Sequence, residues 1–315
     1  MAAQPEPDLF EHVRDHSYFE LPFGIEIPLP KIPLPDVPLI TKYFGHSFQI
    51  SKYMVLQLVA GLFLLVVFRG LARRVASGTP PKGAWWNFWE TLALYIRDNV
   101  VRPTIGVPHE HGHGDHEHND EHAHDAHGHA EAHAVPAVAG HPADRFLPYI
   151  WTCFFYVLIC NLLGAFPWMG SPTANINVTG ALAVITVCTV MFYGMQRSGV
   201  AGFWASLAPP MDLTPIMKVI LVPVIWAIEF VGFVIKHGVL AVRLFANMMG
   251  GHTVIAVLAM YIATTATSVL WYLVLPSSIF GQIFVGLLEL LVAFIQAYIF
   301  AFLATLFISM AVNPH

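Results

Sequence analysis

Charged side chains are scarce in this sequence: Asp, Glu, Lys and Arg make up 11 % of its 315 residues, while 56 % are hydrophobic. A water-soluble domain carries about 25 % charged residues, so a soluble globular protein is excluded. Cysteine is almost absent. Cys153, Cys160 and Cys188 stand alone in apolar runs, with neither CxxC spacing nor an even count, which excludes a disulfide framework and a thiolate metal site. No glycine-rich phosphate loop occurs, and the formal net charge of −5 implies no nucleic-acid partner. The first residues, Met1 to Asp8, lack a basic stretch leading into an apolar core, so neither a secretory signal nor an Arg-rich transit peptide is read there. A bacterial membrane is the expectation.

What the chain has is apolar length. At about 20 residues per ~30 Å of hydrocarbon, crossings are read at roughly residues 49–68, 146–165 and 178–194, with two more between 212 and the end, where the apolar runs exceed ordinary spans. Arg69, Arg73 and Arg74 close the first crossing and Arg197 follows the third. Under the positive-inside rule these place the N-terminus outside and the C-terminus in the cytoplasm. The expected fold is an all-α membrane protein of about five transmembrane helices plus one interfacial amphipathic helix, in which Trp85, Phe88, Trp89, Leu92, Ile96 and Val100 recur at helical spacing. Four regions follow from this pattern: an extended proline-rich segment (1–48), the first span and interfacial helix (49–105), a His-rich insertion (106–144) and a helical region (145–315).

The insertion holds eleven of the seventeen histidines, His109 to His141. Two readings stand, a zinc or nickel sponge and a disordered insertion with incidental affinity. No fixed spacing such as HExxH supports a defined metal site.

The residues that carry chemistry lie in the last two apolar runs. An arginine there costs at least about 2.5–3.5 kcal/mol on insertion scales and cannot shed its proton, so Arg243 needs a carboxylate or a watery cavity. Glu229 precedes it by fourteen residues, nearly on the same face and about 21 Å away along a helix axis. Asn247 follows at i+4. His252 lies nine residues on, about 13.5 Å along the axis and on the opposite face. In the next run Glu289 and Gln296 share a stripe at i, i+7. Titratable groups on both axial sides of a permanent cation suggest two aqueous access paths that must not connect. Plain structural roles also exist: an ion pair of Arg243 with Glu229 or Glu289, a core histidine, interhelical hydrogen bonds from Asn247 and Gln296, and snorkelling for Lys236 and His237.

Val242-Arg-Leu-Phe-Ala-Asn247 with Gly251-His252, and Leu288-Glu-Leu-Leu-Val-Ala-Phe-Ile-Gln-Ala-Tyr-Ile-Phe300, closely resemble subunit a of F-type ATP synthases, the stator proton-channel subunit. Pro172-Thr-Ala-Asn-Ile-Asn-Val-Thr179 and the surroundings of Glu229 match more weakly. The resemblance implies that the last two helices are long, tilted and curved against a rotating ring of c subunits. It implies that Arg243 faces the ring carboxylates, that His252, Glu289, Asn247 and Gln296 line the half-channel open to the outside, and that Glu229 belongs to the cytoplasmic one. Many bacterial relatives have Glu at the position of His252 and His at that of Glu289, so this sequence carries the exchanged pair. A b-subunit stator stalk, the other ATP synthase subunits and membrane lipid are the implied partners. The subunit would be non-catalytic and need no cofactor. The rival from another class is a metal-ion transporter with a His-rich cytoplasmic loop, but it wants ligands at i, i+4 within the spans, where Ala241 follows His237 and Ala256 follows His252.

Overall fold

The computed structural model describes residues 18–21, 25–33, 47–76, 83–105, 141–166, 169–207 and 215–312. Five helices are long and apolar enough to cross a membrane. Helix α1 spans Lys52–Ala76, and α2 (Ala84–Ile96) continues through a π-helical turn, Arg97–Val101, into α3 (Arg102–Ile105). A 3-10 turn over Pro142–Phe146 leads into α4 (Leu147–Gly164). Helix α5 is Ile176–Ser198, α6 a short piece at Val200–Ser206, α7 runs Pro215–Thr264 and α8 Trp271–Val312. The apolar run of the first span stops at Phe68, and α1 continues through Arg69, Arg73 and Arg74, the arginines expected to close it. Arginine is a good helix former, so the end of the apolar run is not the end of the helix. Within the proline-rich segment, β1 (Tyr18–Leu21) pairs antiparallel with β2 (Ile25–Pro28), and β3 (Lys31–Pro33) with β4 (Ser47–Gln49). Two-stranded ribbons are all edge, so prolines are tolerated in them.

Helix α8 is the axis of the bundle, with α4, α5 and α7 packed along it. Its buried stripe is made of small residues at helical spacing, Ala293, Ala297, Ala301 and Ala304, between Gln296, Phe300, Phe307 and Ile308. Small side chains let helix backbones approach closely, which is how membrane helices gain packing when lipid is as apolar as leucine. Helices α7 and α8 contain 50 and 42 residues. At about 1.5 Å per residue that is about 75 and 63 Å, over twice the ~30 Å core. Both are longer than an upright crossing of the hydrocarbon core requires.

The interfacial helix packs through Trp89, Ala93 and Ile96, while Trp85 and Phe88 stay exposed. The π-helical turn then brings both Val100 and Val101 into the core, where a regular α-helix would turn neighbours to different faces. Trp151 of α4 donates its indole N–H to the Ala93 carbonyl at 2.9 Å, and Ser309 of α8 donates to the Thr104 carbonyl at 2.7 Å. Arg102 grips Asp144 with two hydrogen bonds, of 3.2 and 3.1 Å. The guanidinium of Arg97 beside Asp98 holds that carboxyl below the usual carboxylate range. Of the His-rich segment, residues 106–140 lie outside the described residues. Its last histidine, His141, accepts the Ala143 N–H through Nδ1 at 3.2 Å and caps the turn into α4.

The connection after α4 folds back on the helix it leaves. A β-carbon on Gly164 would lie 2.5 Å from Ser171 Cβ and 3.3 Å from its Cα, and neither atom is the end of a flexible chain. Gly164→Ala is therefore expected to destabilise the protein by about 1–3 kcal/mol, the usual range for overpacking. Thermal unfolding of the full-length protein in detergent would show a lowered midpoint. An unchanged or raised midpoint would mean that the loop relaxes freely.

Candidate functional site

The six residues singled out from the sequence divide between two surfaces of the α7–α8 pair. On α7 the buried stripe runs through His237, Leu240, Ala241, Leu244 and Met248, and His252 extends it by one turn. Glu289 and Gln296 lie on the buried stripe of α8. The structure brings His252 and Glu289 together across the helix contact, with Nε2 3.6 Å from Oε1 and side chains 17 % and 6 % exposed. At that distance no hydrogen bond forms. Both atoms are buried without a hydrogen-bond partner among the described residues. Buried polar atoms are nearly always satisfied, and here two unsatisfied ones face each other.

Gly251 makes the approach possible. A β-carbon there would sit 3.1 Å from both Cδ and Oε1 of Glu289, so the carboxyl group of α8 lies directly against the backbone of α7. Gln296 is buried two turns further along α8, on the side of Glu289 toward its C-terminus.

Arg243 belongs to the other surface. It is half-buried at the edge of a shallow open concavity of about 440 Å³, whose other walls are Ile235, Gly238, Val239, Val242 and Ala246. Asn247 and Glu229 are exposed on the same side of α7. Among the described residues no carboxylate lies within ion-pair distance of the guanidinium. The internal pairs considered from the sequence, with Glu229 or Glu289, do not form. A guanidinium is thus held in an apolar, outward-facing wall with no counter-ion among the described residues.

Two polar features escaped the sequence reading. Asn161 of α4 is fully buried, and its Oδ1 accepts the Thr173 hydroxyl at 2.7 Å. Thr173 and Ser171 hydroxyls lie 2.6 Å apart, and Ser171 donates to the Cys160 carbonyl at 3.1 Å. The only sequence signal was the polar run from Pro172 to Thr179, and the partner of Thr173 twelve residues upstream could not be guessed. The second is His237. Snorkelling was the expectation for it, but the ring is 2 % exposed, between Phe233 and Phe307 at centroid distances of 4.5 and 4.3 Å. Its Nδ1 is 2.8 Å from the Phe233 carbonyl. Lys236, its neighbour, is exposed. One step of about 100° along the helix separates the surface from the core.

A family model described as ATP synthase A chain matches residues 131–309. ATP synthase subunit a of Chloroherpeton thalassium is 34 % identical over 309 residues, 97 % of this chain and 76 % of that protein. This chain belongs to the ATP synthase A chain family. ATP synthase subunit a 2 of Chlorobaculum tepidum is 31 % identical over 319 residues, with 98 % and 73 % covered. ATP synthase subunit a of Pelodictyon phaeoclathratiforme is 33 % identical over 307 residues, with 96 % and 75 % covered. For this family member, the match takes in both long helices and all six residues above. The metal-transporter alternative finds no support, since no group of three or more His, Cys, Asp or Glu comes together among the described residues.

Proposed function

We propose that this chain is the ion-translocating subunit a of a rotary F-type ATP synthase in a bacterial inner membrane, with its N-terminus outside and its C-terminus in the cytoplasm. In this reading the outward face of α7 lies against a ring of c subunits, and Arg243 supplies the positive charge that their carboxylates meet. The observation that carries it is the separation of the two surfaces. A guanidinium with no counter-ion among the described residues faces outward across an apolar wall, while a titratable pair is enclosed behind it between α7 and α8.

The chemistry follows from that arrangement. A proton arriving from outside is taken up between His252 Nε2 and Glu289 Oε1, the two buried atoms that a shared proton would satisfy. Gln296 and Asn247 supply further polar positions toward the ring. A ring carboxylate leaving Arg243 accepts the proton, becomes neutral and can enter lipid. On the far side of the rotation Glu229, about 21 Å along α7 from Arg243, draws the proton off toward the cytoplasm. Arg243 lowers the pKa of each approaching carboxyl group, because an opposite charge favours the ionised form. It also bars a direct proton path between the two half-channels. Each charge crossing 100 mV releases about 2.3 kcal/mol, which the ring transmits as torque. The chain itself is non-catalytic. The b-subunit stator stalk and the other synthase subunits would hold it against the ring.

Cysteine cross-linking tests the docking face. Ala246→Cys, on the wall of the Arg243 concavity, is expected to form a disulfide with a cysteine placed beside the carboxylate of the c-subunit helix. Val184→Cys on the exposed face of α5 should form none. Absence of the first link in an assembled complex, or equal yield from both positions, would remove the ring from this face.

A further inference from the structure

We infer that the groove between α1 and α4 is a binding site for an anionic phospholipid, with one acyl chain in the groove and the phosphate on Arg69 and Arg73. The groove has a volume of about 840 Å³ and is lined by Leu58, Leu62, Leu65 and Phe68 of α1 and by Trp151 and Tyr156 of α4, among others. Along α1 it extends from Gln57 to Phe68, eleven residues or about 16 Å, which is half of the ~30 Å hydrocarbon core. A site confined to one leaflet suits an acyl chain. A transmembrane helix about 30 Å long and 10 Å wide takes up roughly 2,400 Å³ as a cylinder, several times the groove.

Charge fixes the end at which the headgroup lies. Leu58, Leu62 and Leu65 are among the most exposed apolar side chains of the helix. At i+4 from Leu65 the same stripe continues into Arg69, and four further on into Arg73, both exposed. The apolar groove therefore ends in two cations on one helical line. The aromatic belt marks the same level. A β-carbon on Gly70 would lie 2.5 Å from the ring of Trp86, so the tryptophan-rich α2 packs against α1 where the basic stripe begins, and tryptophans settle at the membrane–water boundary. Basic residues near a membrane surface attract anionic headgroups, and two of them favour an anionic over a zwitterionic lipid by about thirty-fold. The inference rests on the membrane-spanning fold and stands independently of the proton path.

The experiment places the full-length protein, in its native assembly, in phosphatidylcholine vesicles containing a trace of phosphatidylglycerol with a photoreactive acyl chain. Labelling is expected on residues 57–68 and 148–156, several-fold above that at Val184 and Ile185 of the lipid-facing α5. A matched phosphatidylcholine probe should label the groove at least tenfold less. The double variant Arg69→Gln/Arg73→Gln, at two exposed positions, should erase that preference. Gly61→Trp, where an added β-carbon meets nothing within 4 Å, should fill the groove and stop labelling there without changing α5. Groove labelling equal to that of α5, equal labelling by the two headgroups, or groove residues cross-linked to another subunit would each overturn the site.

Discussion

Membrane vesicles carrying Arg243→Ala are expected to lose ATP-driven proton pumping while the complex still assembles. The side chain is half-buried and outward-facing, with no ion-pair partner among the described residues, so its removal leaves none of their carboxylates without a partner. Its loss falls on the group that arrives from outside. Removing one partner of a desolvated ion pair costs about 3–5 kcal/mol, or roughly two to four orders of magnitude in an equilibrium constant at about 1.4 kcal/mol per decade. A ring carboxylate without its cation stays protonated against α7, and the rotary step loses the charged state it needs. Passive proton leak should rise at the same time, since the permanent charge between the half-channels is gone. Arg243→Lys keeps the charge, but not its permanence or its planar fork, and should recover only a fraction of pumping. Normal pumping by an assembled Arg243→Ala complex would make the arginine a structural residue and end the proposed mechanism.

Glu289→Gln should slow pumping by about 10²–10⁴-fold, the range for removing a positioned proton carrier. The substitution keeps shape and volume and the close approach to Gly251, so assembly and thermal stability should change little. His252→Gln should act in the same direction. The exchange variant His252→Glu/Glu289→His re-creates the pair with its members transposed, and because the two atoms face each other 3.6 Å apart it should recover at least a tenth of wild-type pumping. Gly251→Val supplies a geometric control. Its β-carbon would press on the Glu289 carboxyl from 3.1 Å and part the pair without touching either titratable group. Measured together as ATP-driven acidification per assembled complex, these variants separate a proton carrier from a packing residue. Wild-type rates in Glu289→Gln would leave the buried pair a structural contact.

The sequence is most informative where its physics is local. A run of twenty apolar residues must cross a bilayer, and a helical wheel alone places His252 opposite Arg243, which is how the structure disposes them. The lone arginine in an apolar run marks α7 as the candidate functional helix from sequence alone. Contacts between distant segments were not legible. Nothing in the spacing puts Glu289 beside His252, because that contact depends on the close approach of α8 to the backbone of α7 at Gly251. Asn161 went unread because its partner, Thr173, reaches it only through the fold-back at Gly164. His237 looked like a boundary residue because it follows the charged Lys236, which is exposed.

The ion pair between Arg102 and Asp144 joins two residues 42 positions apart, one in the last turn before the His-rich segment and the other at its final residue, in the 3-10 turn that leads into α4. Loop-closure entropy grows only with the logarithm of length, about 0.6 kcal/mol per doubling. A clasp that fixes both ends leaves the helical body nearly indifferent to how much chain is threaded between them. The position between α3 and α4 is therefore a tolerant one, where sequence can be gained, lost or replaced over evolution, or a tag inserted by hand, without re-registering α4 against α8.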